Sequence, residues 1–233
     1  MTDDATDPSD EPKGIRQHRF VPPPGATTIL LVRHGESAPE VAGEPFPQRD
    51  GHGDPPLAPE GREQARRVGE RLAAEHRDGV DIDAVYVTTL QRTHQTAERL
   101  LELLGREAGV VPELREVHLG EWEGTFRARV SSGDPVFAQV LAEERWDLIP
   151  GAEAADAFRE RLRAGIQAIA AANPDGRVVA VVHGGVIGQL LAMATGSRGF
   201  AFVGADNGSI SELVVLPGGN WQVRRYNDVA HLT

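Results

Sequence analysis

Two short stretches limit the folds open to this chain: TTILLVRHGES, residues 27–37, and RVVAVVHGG, residues 177–185. In each, an apolar run with no polar alternation ends at a histidine followed by glycine, with Arg33 just ahead of the first histidine. A strand with one wet face alternates between apolar and polar residues. Ile29, Leu30, Leu31 and Val32 do not, so they read as a strand covered on both faces. Two such strands would bring His34 and His183 to the same carboxyl edge of a sheet, which is where open α/β sheets bind ligands.

From Thr27 onward, strand-like and helix-like segments alternate without an internal repeat, the pattern of a layered α/β domain. APEGREQARRVGERLAAEH, from Ala58, has Pro59 near a first turn and Ala65, Val68, Leu72 and Ala73 at helical spacing. DAVYVTT is the next strand, and LQRTHQTAERLLELLG is a helix closed by Gly105. GVVPEL predicts a short strand and REVHLGEWEG a loop. Residues 125–150, with Phe126, Phe137 and Trp146, predict a partly helical insertion laid over the sheet as a small cap. A long helix is expected from Ala152 to Ala172, stopping before Asn173-Pro174. GGVIGQLLAMATG follows His183 as another helix, and GSISELVVL and WQVRRY flank Pro217 to Asn220 as a hairpin. The expected architecture is a three-layer αβα sandwich over residues 26–233 with a mainly parallel central sheet. Residues 1–25, acidic and ending in VPPPG, are expected to be a disordered tail.

Composition excludes several function classes. At 233 residues with 40% hydrophobic content, the chain can fill a sizeable core. It has no cysteine, which removes disulfides, thiolate metal sites and cysteine nucleophiles. A net charge of −11 gives no basic field to collect nucleic-acid phosphates. Five acids, Asp3, Asp4, Asp7, Asp10 and Glu11, sit in the tail. An anionic ligand would therefore need a concentrated local pocket of cations. No apolar run reaches membrane-span length and the N-terminus is acidic, so neither a membrane partner nor a secretory signal is expected; the expected location is the cytoplasm. A homo-oligomer stays open, because one chain reveals no interface.

The chemistry gathers at the strand ends. Glycines after His183 let backbone N–H groups approach a ligand, and the helix that follows adds positive potential for an anion. In VYVTTLQRTHQTA, Arg92 falls in the first turn of a helix after a strand, beside the same edge. Arg33 and Arg92 offer planar, forked donors suited to phosphate oxygens. His52, Asp54 and His118 show no metal-ligand spacing, and no P-loop or dinucleotide-loop glycine pattern is present, so no metal and no cofactor are expected.

The motifs LVRHGES, PPLAPEGREQA, TTLQRTHQTA, LREVHLGEWEG and VVHGG, in this order, resemble the histidine phosphatase superfamily, the phosphoglycerate mutase-like group. The resemblance implies that His34 is a nucleophile forming a phosphohistidine and that Glu116 is the proton donor to the leaving group. It further implies that Arg33, Arg92 and His183 bind the phosphoryl oxygens, with Ser37 and the N–H of Gly184 as further substrate contacts. Glu121 and Glu123 read instead as loop-forming residues. Two departures from the family stand out. Glu40 occupies a position where many relatives have asparagine, in a somewhat long loop, SAPEVAGEPFPQRDGHGDPPL. LREVHLGEWEG also resembles the hydrolases more than the mutases' ERHYG-type motif. The expected activity is metal-independent hydrolysis of a small phosphomonoester; the alternatives are a phosphoglycerate mutase and a phospholigand-binding module without turnover.

Overall fold

A computed structural model describes residues 17–41, 44 and 46–233. The tail expectation for residues 1–16 lies outside the described residues; residues 17–25 are exposed and form no helix or strand. Even so, Phe20 lies under the Arg224 guanidinium, 4.0 Å from its ring centroid, and the Gly25 N–H donates to Asp175.

The central sheet has six strands in the order β5-β4-β6-β1-β7-β8. These are β1 (Thr27–Arg33), β4 (Ala84–Val87), β5 (Ala108–Val110), β6 (Arg177–Val182), β7 (Ile210–Val215) and β8 (Trp221–Asp228). β2 (Gln48–Arg49) and β3 (His52–Gly53) form a separate small hairpin. β5, β4, β6 and β1 run parallel, β7 pairs antiparallel to β1, and β8 antiparallel to β7. The mainly parallel sheet and flanking helices match the fold class read from the sequence.

The unalternating apolar strands follow from this layering. Ile29 and Leu31 join a core cluster with α5 (Ala155–Ala172) and α6 (Gly184–Thr195), whereas Leu30 and Val32 join the opposite cluster with α1 (Pro59–Arg77) and α2 (Gln91–Leu104). Every side chain of the run is thus needed on one face or the other. A third, small apolar cluster is built from Trp122, Val140 and Ile149, with α3 (Phe126–Ser131), α4 (Pro135–Glu143) and Trp146 around it.

Some boundaries differ from the sequence reading. α5 begins at Ala155 instead of Ala152, because Gly151 turns the chain at φ 73° and the Asp147 carboxylate accepts the Ala155 N–H. In GVVPEL only Gly109 and Val110 belong to a strand, and Pro112–Leu114 form a 3-10 turn, since Pro112 offers no N–H to a ladder. REVHLGEWEG is a loop with one 3-10 turn, Gly120–Trp122. No described helix is long and apolar enough to cross a membrane.

Candidate active site

β1 and β6 are parallel neighbours with Arg33 opposite Val182, so the next residue of each, His34 and His183, emerges at one height. The His34 N–H donates to the Val182 carbonyl at 3.0 Å, which ties the two strand ends together. The ring centroids of the two histidines are 5.2 Å apart in an edge-on arrangement. Beyond β1, Gly35 and Gly61 let the chain run against the first turn of α1 with no room for a Cβ at either residue. Gly35 N–H then donates to the Thr96 hydroxyl at 3.0 Å, and Asn207 donates its amide to the His34 carbonyl at 2.9 Å. The backbone of the histidine is thereby held from three sides.

The imidazole of His34 is buried, with Nδ1 2.7 Å from the Gly35 carbonyl oxygen. A carbonyl only accepts, so Nδ1 carries the proton and Nε2 keeps its lone pair. Burial, and after it the positive charges of Arg92 and Arg33, hold the His34 pKa well below the ordinary imidazole value. A buried, neutral imidazole with a free Nε2 can act as a nucleophile. His183, fully buried as N-cap of α6, is pushed down in the same way by burial, then by Arg92 and His34. Its Nε2 meets the Thr88 hydroxyl at 3.0 Å, and its Nδ1 has no partner among the described residues.

Arg92, in the first turn of α2, donates to the Gly53 carbonyl at 3.0 Å and lies 3.8 Å from Asp54. Asp54 also accepts the Gln91 N–H at 2.8 Å, so one carboxylate fixes both the helix start and the guanidinium. Arg33 donates to the Ala205 carbonyl, and its buried Nε has no partner among the described residues. Burial lowers the pKa of both arginines, offset most by the Glu116 carboxylate; a guanidinium stays charged nonetheless, so each keeps donors in reserve for an anion.

Glu116 Oε2 accepts the Gly185 N–H at 3.1 Å, at the start of α6, and Oε1 accepts the Val117 N–H at 3.0 Å. Its loop is clamped by Arg161 of α5, which donates to the carbonyls of Glu113, Arg115 and Glu116 at 2.7, 2.7 and 2.8 Å while paired with Glu153. His52 adds a contact to the Glu116 carbonyl at 3.1 Å. Glu123 accepts from Leu119 and Gly53 at 2.8 and 2.9 Å, holding two loops together as its sequence context suggested.

Arg33, His34, Ser37, Arg92, Glu116 and Gly184 line one cavity of about 380 Å³; His183, fully buried beside His34, is not among its lining residues. Sequence reasoning missed Arg161, Asn207, Thr96 and the positioning roles of Asp54 and His52. Only Asp54 and His52 carried a local signal, as polar residues in a glycine-rich loop beside Pro55. Among the described residues no group of three or more His, Asp or Glu is arranged to hold a metal ion.

A profile of the histidine phosphatase superfamily (branch 1) matches residues 29–229. The chain belongs to that superfamily. Within the histidine phosphatases it is 32% identical to Phosphoglycerate mutase-like protein 4 of Arabidopsis thaliana over 88% of this chain and 86% of the relative. It is 30% identical to the Metal-independent phosphoserine phosphatase of the same plant, over 89% and 84%. Among solved structures, a mycobacterial glucosyl-3-phosphoglycerate phosphatase superposes with a TM-score of 0.71 at 26% identity, covering 87% of this chain and 99% of that one. The superfamily thus includes similar proteins named as phosphatases and as mutases.

Proposed function

We propose that the protein is a metal-independent phosphomonoester hydrolase acting through a phosphohistidine on His34. The observation that carries this reading is the pairing of a neutral, oriented His34 with two under-compensated guanidiniums and the Glu116 carboxyl at one cavity wall.

In the first step Nε2 of His34 attacks phosphorus, the bond from phosphorus to the ester oxygen breaks, and protonated Glu116 gives its proton to the departing alkoxide. Arg33, Arg92 and the Gly184 N–H donate to the phosphoryl oxygens, and the buried His183, whose Nδ1 has no partner among the described residues, is assigned to the same set. Their charge meets the charge of the transferring group, the role that metal ions fill elsewhere. In the second step Glu116 takes a proton from water, the oxygen attacks phosphorus, the N–P bond breaks, and phosphate leaves with His34 neutral again. Ser37, buried at the cavity wall, is assigned to substrate contact.

The mutase reading has support in the similarity to Phosphoglycerate mutase-like protein 4. It ranks second because the Glu116 loop, LREVHLGEWEG, resembles the hydrolases and lacks the mutases' ERHYG-type motif. One rapid-quench experiment separates the two. Labelled substrate should leave an acid-labile, alkali-stable phosphoryl group on the protein, absent in His34→Ala, with phosphate release outrunning interconversion of the phosphoglycerates. A fully active His34→Ala variant would sink the mechanism; dominant interconversion would promote the mutase.

A further inference from the structure

Beside the residues named above, the lining of the cavity is largely apolar and includes Leu119, Phe126, Phe137, Leu141, Trp146 and Val203. Three of these are aromatics in edge-to-face contact: the Phe126 ring lies 5.9 Å from Phe137 and 6.1 Å from Trp146. Leu141 and Val203, at the mouth, are 51% and 37% exposed. A wall of half-buried aromatics with an open apolar rim leaves carbon surface in water until something apolar covers it.

The charged groups next to Phe126 are Glu40 and Arg127. Glu40 is engaged, accepting the N–H groups of Arg127 and Ala128 at 3.1 Å each, and it would repel a second anion. Arg127 is the one guanidinium beyond Arg33 and Arg92 among the described lining residues, and it is exposed. A leaving group bearing hydroxyls or a carboxylate would lose hydration here and regain little.

We propose that the preferred substrate is a phosphomonoester of an apolar alcohol, whose alkyl or aryl portion lies against Phe126, Phe137, Trp146 and Leu141. This assignment rests on the hydrolase reading above. Linear alkyl phosphates test it, because from ethyl to octyl the leaving oxygen is of nearly constant basicity and only carbon is added. With transfer of about one methylene at a time into the cavity, kcat/KM should rise roughly threefold to fourfold per methylene until the cavity is filled. Octyl phosphate should then exceed phosphoserine and phosphoglycerate by at least about tenfold.

The matching alkylphosphonates, which cannot be hydrolysed, should show the same chain-length slope in affinity by calorimetry. Phe137→Ala should flatten both slopes, and so should Leu141→Ser, whose half-exposed position on α4 leaves the core intact. A flat or falling series in both kcat/KM and affinity overturns the assignment while phosphate release leaves the hydrolase reading standing. Steep phosphonate affinity with no phosphate released from any ester does the opposite, keeping the apolar subsite and removing the hydrolase.

Discussion

Replacing Gly185 with alanine separates the positioning of Glu116 from the integrity of the fold. A Cβ at Gly185 would stand 2.5 Å from Glu116 Oε1 and 3.2 Å from its carboxyl carbon, so the carboxylate must move. What moves is the far end of a flexible side chain, so backbone strain is small. Gly185 lies in the first turn of α6 without a positive φ, where alanine favours the helix by up to about 1 kcal/mol. The Gly185→Ala protein should therefore melt at the same temperature or higher.

Its activity should fall. The displaced carboxylate loses the 3.1 Å bond from the Gly185 N–H. A hydrogen bond to a charged group is worth about 1.5–3 kcal/mol, or roughly tenfold to 150-fold if all of it is felt in the transition state. Because a general acid matters only as far as the leaving oxygen needs a proton, the full loss should be seen with an alkyl phosphate and a much smaller one with p-nitrophenyl phosphate. Glu116→Gln, which keeps the shape without the proton, should lose roughly 10²- to 10⁴-fold on the alkyl ester with the same asymmetry. Steady-state phosphate release on the two substrates, beside a thermal melt, reads all of this. Equal losses on both substrates, or an unimpaired Gly185→Ala enzyme, would refute the acid role of Glu116.

Prolonged chelation should leave turnover intact, and loss restored by one divalent ion would contradict the charge role given to Arg33 and Arg92. The acidic limb of kcat/KM should lie below the ordinary imidazole pKa of 6.5, since burial and the two arginines hold His34 neutral into mild acid. Replacing Arg92 with methionine should move that limb to higher pH. Stability should fall as pH drops below 6.5, because unfolded His34 and His183 take up protons that the folded sites refuse; chemical unfolding at stepped pH checks this sign. Inorganic phosphate should raise the melting temperature by binding the folded state alone, about 2.7 kcal/mol at a hundred times its Kd, and Arg92→Met should abolish the response.

The strand ends were legible in the sequence for a local reason. A strand buried on both faces cannot hide its pattern, and His34 and His183 follow such strands directly. The α/β layering followed from the same pattern, as did the helix that carries Arg92. What holds these groups was not legible, because the contacts are distant in sequence. Arg161 reaches the Glu116 carbonyl across 45 residues, and Asn207 reaches His34 across 173. An arginine on the amphipathic α5 carries no local mark that distinguishes a clamp from a solvated charge. The antiparallel β7 beside β1 was equally hidden, since a hairpin pattern does not say which strand of a sheet it joins.

The charge arrangement explains why these residues have to be buried together. An exposed His34 would be partly protonated near neutrality, and a cation cannot attack phosphorus. Burial makes it neutral, and Arg33 and Arg92 reinforce this by their positive charge. The same two guanidiniums, desolvated and faced chiefly by Glu116 and, at 3.8 Å from Arg92, by Asp54, carry donors that no described protein group satisfies. In the proposed mechanism a phosphoryl dianion supplies the missing negative charge as it approaches His34. On that mechanism, once phosphorus is bonded to Nε2 the imidazole would no longer be the group that must avoid a proton, and Glu116 would have surrendered its own to the alcohol. The carboxylate would then stand beside the guanidiniums, ready to take a proton from water. On the proposed mechanism one cationic pocket would keep the nucleophile neutral before transfer and hold the phosphoryl group during it, so replacing either arginine by a neutral residue should affect both the pH limb and phosphate binding.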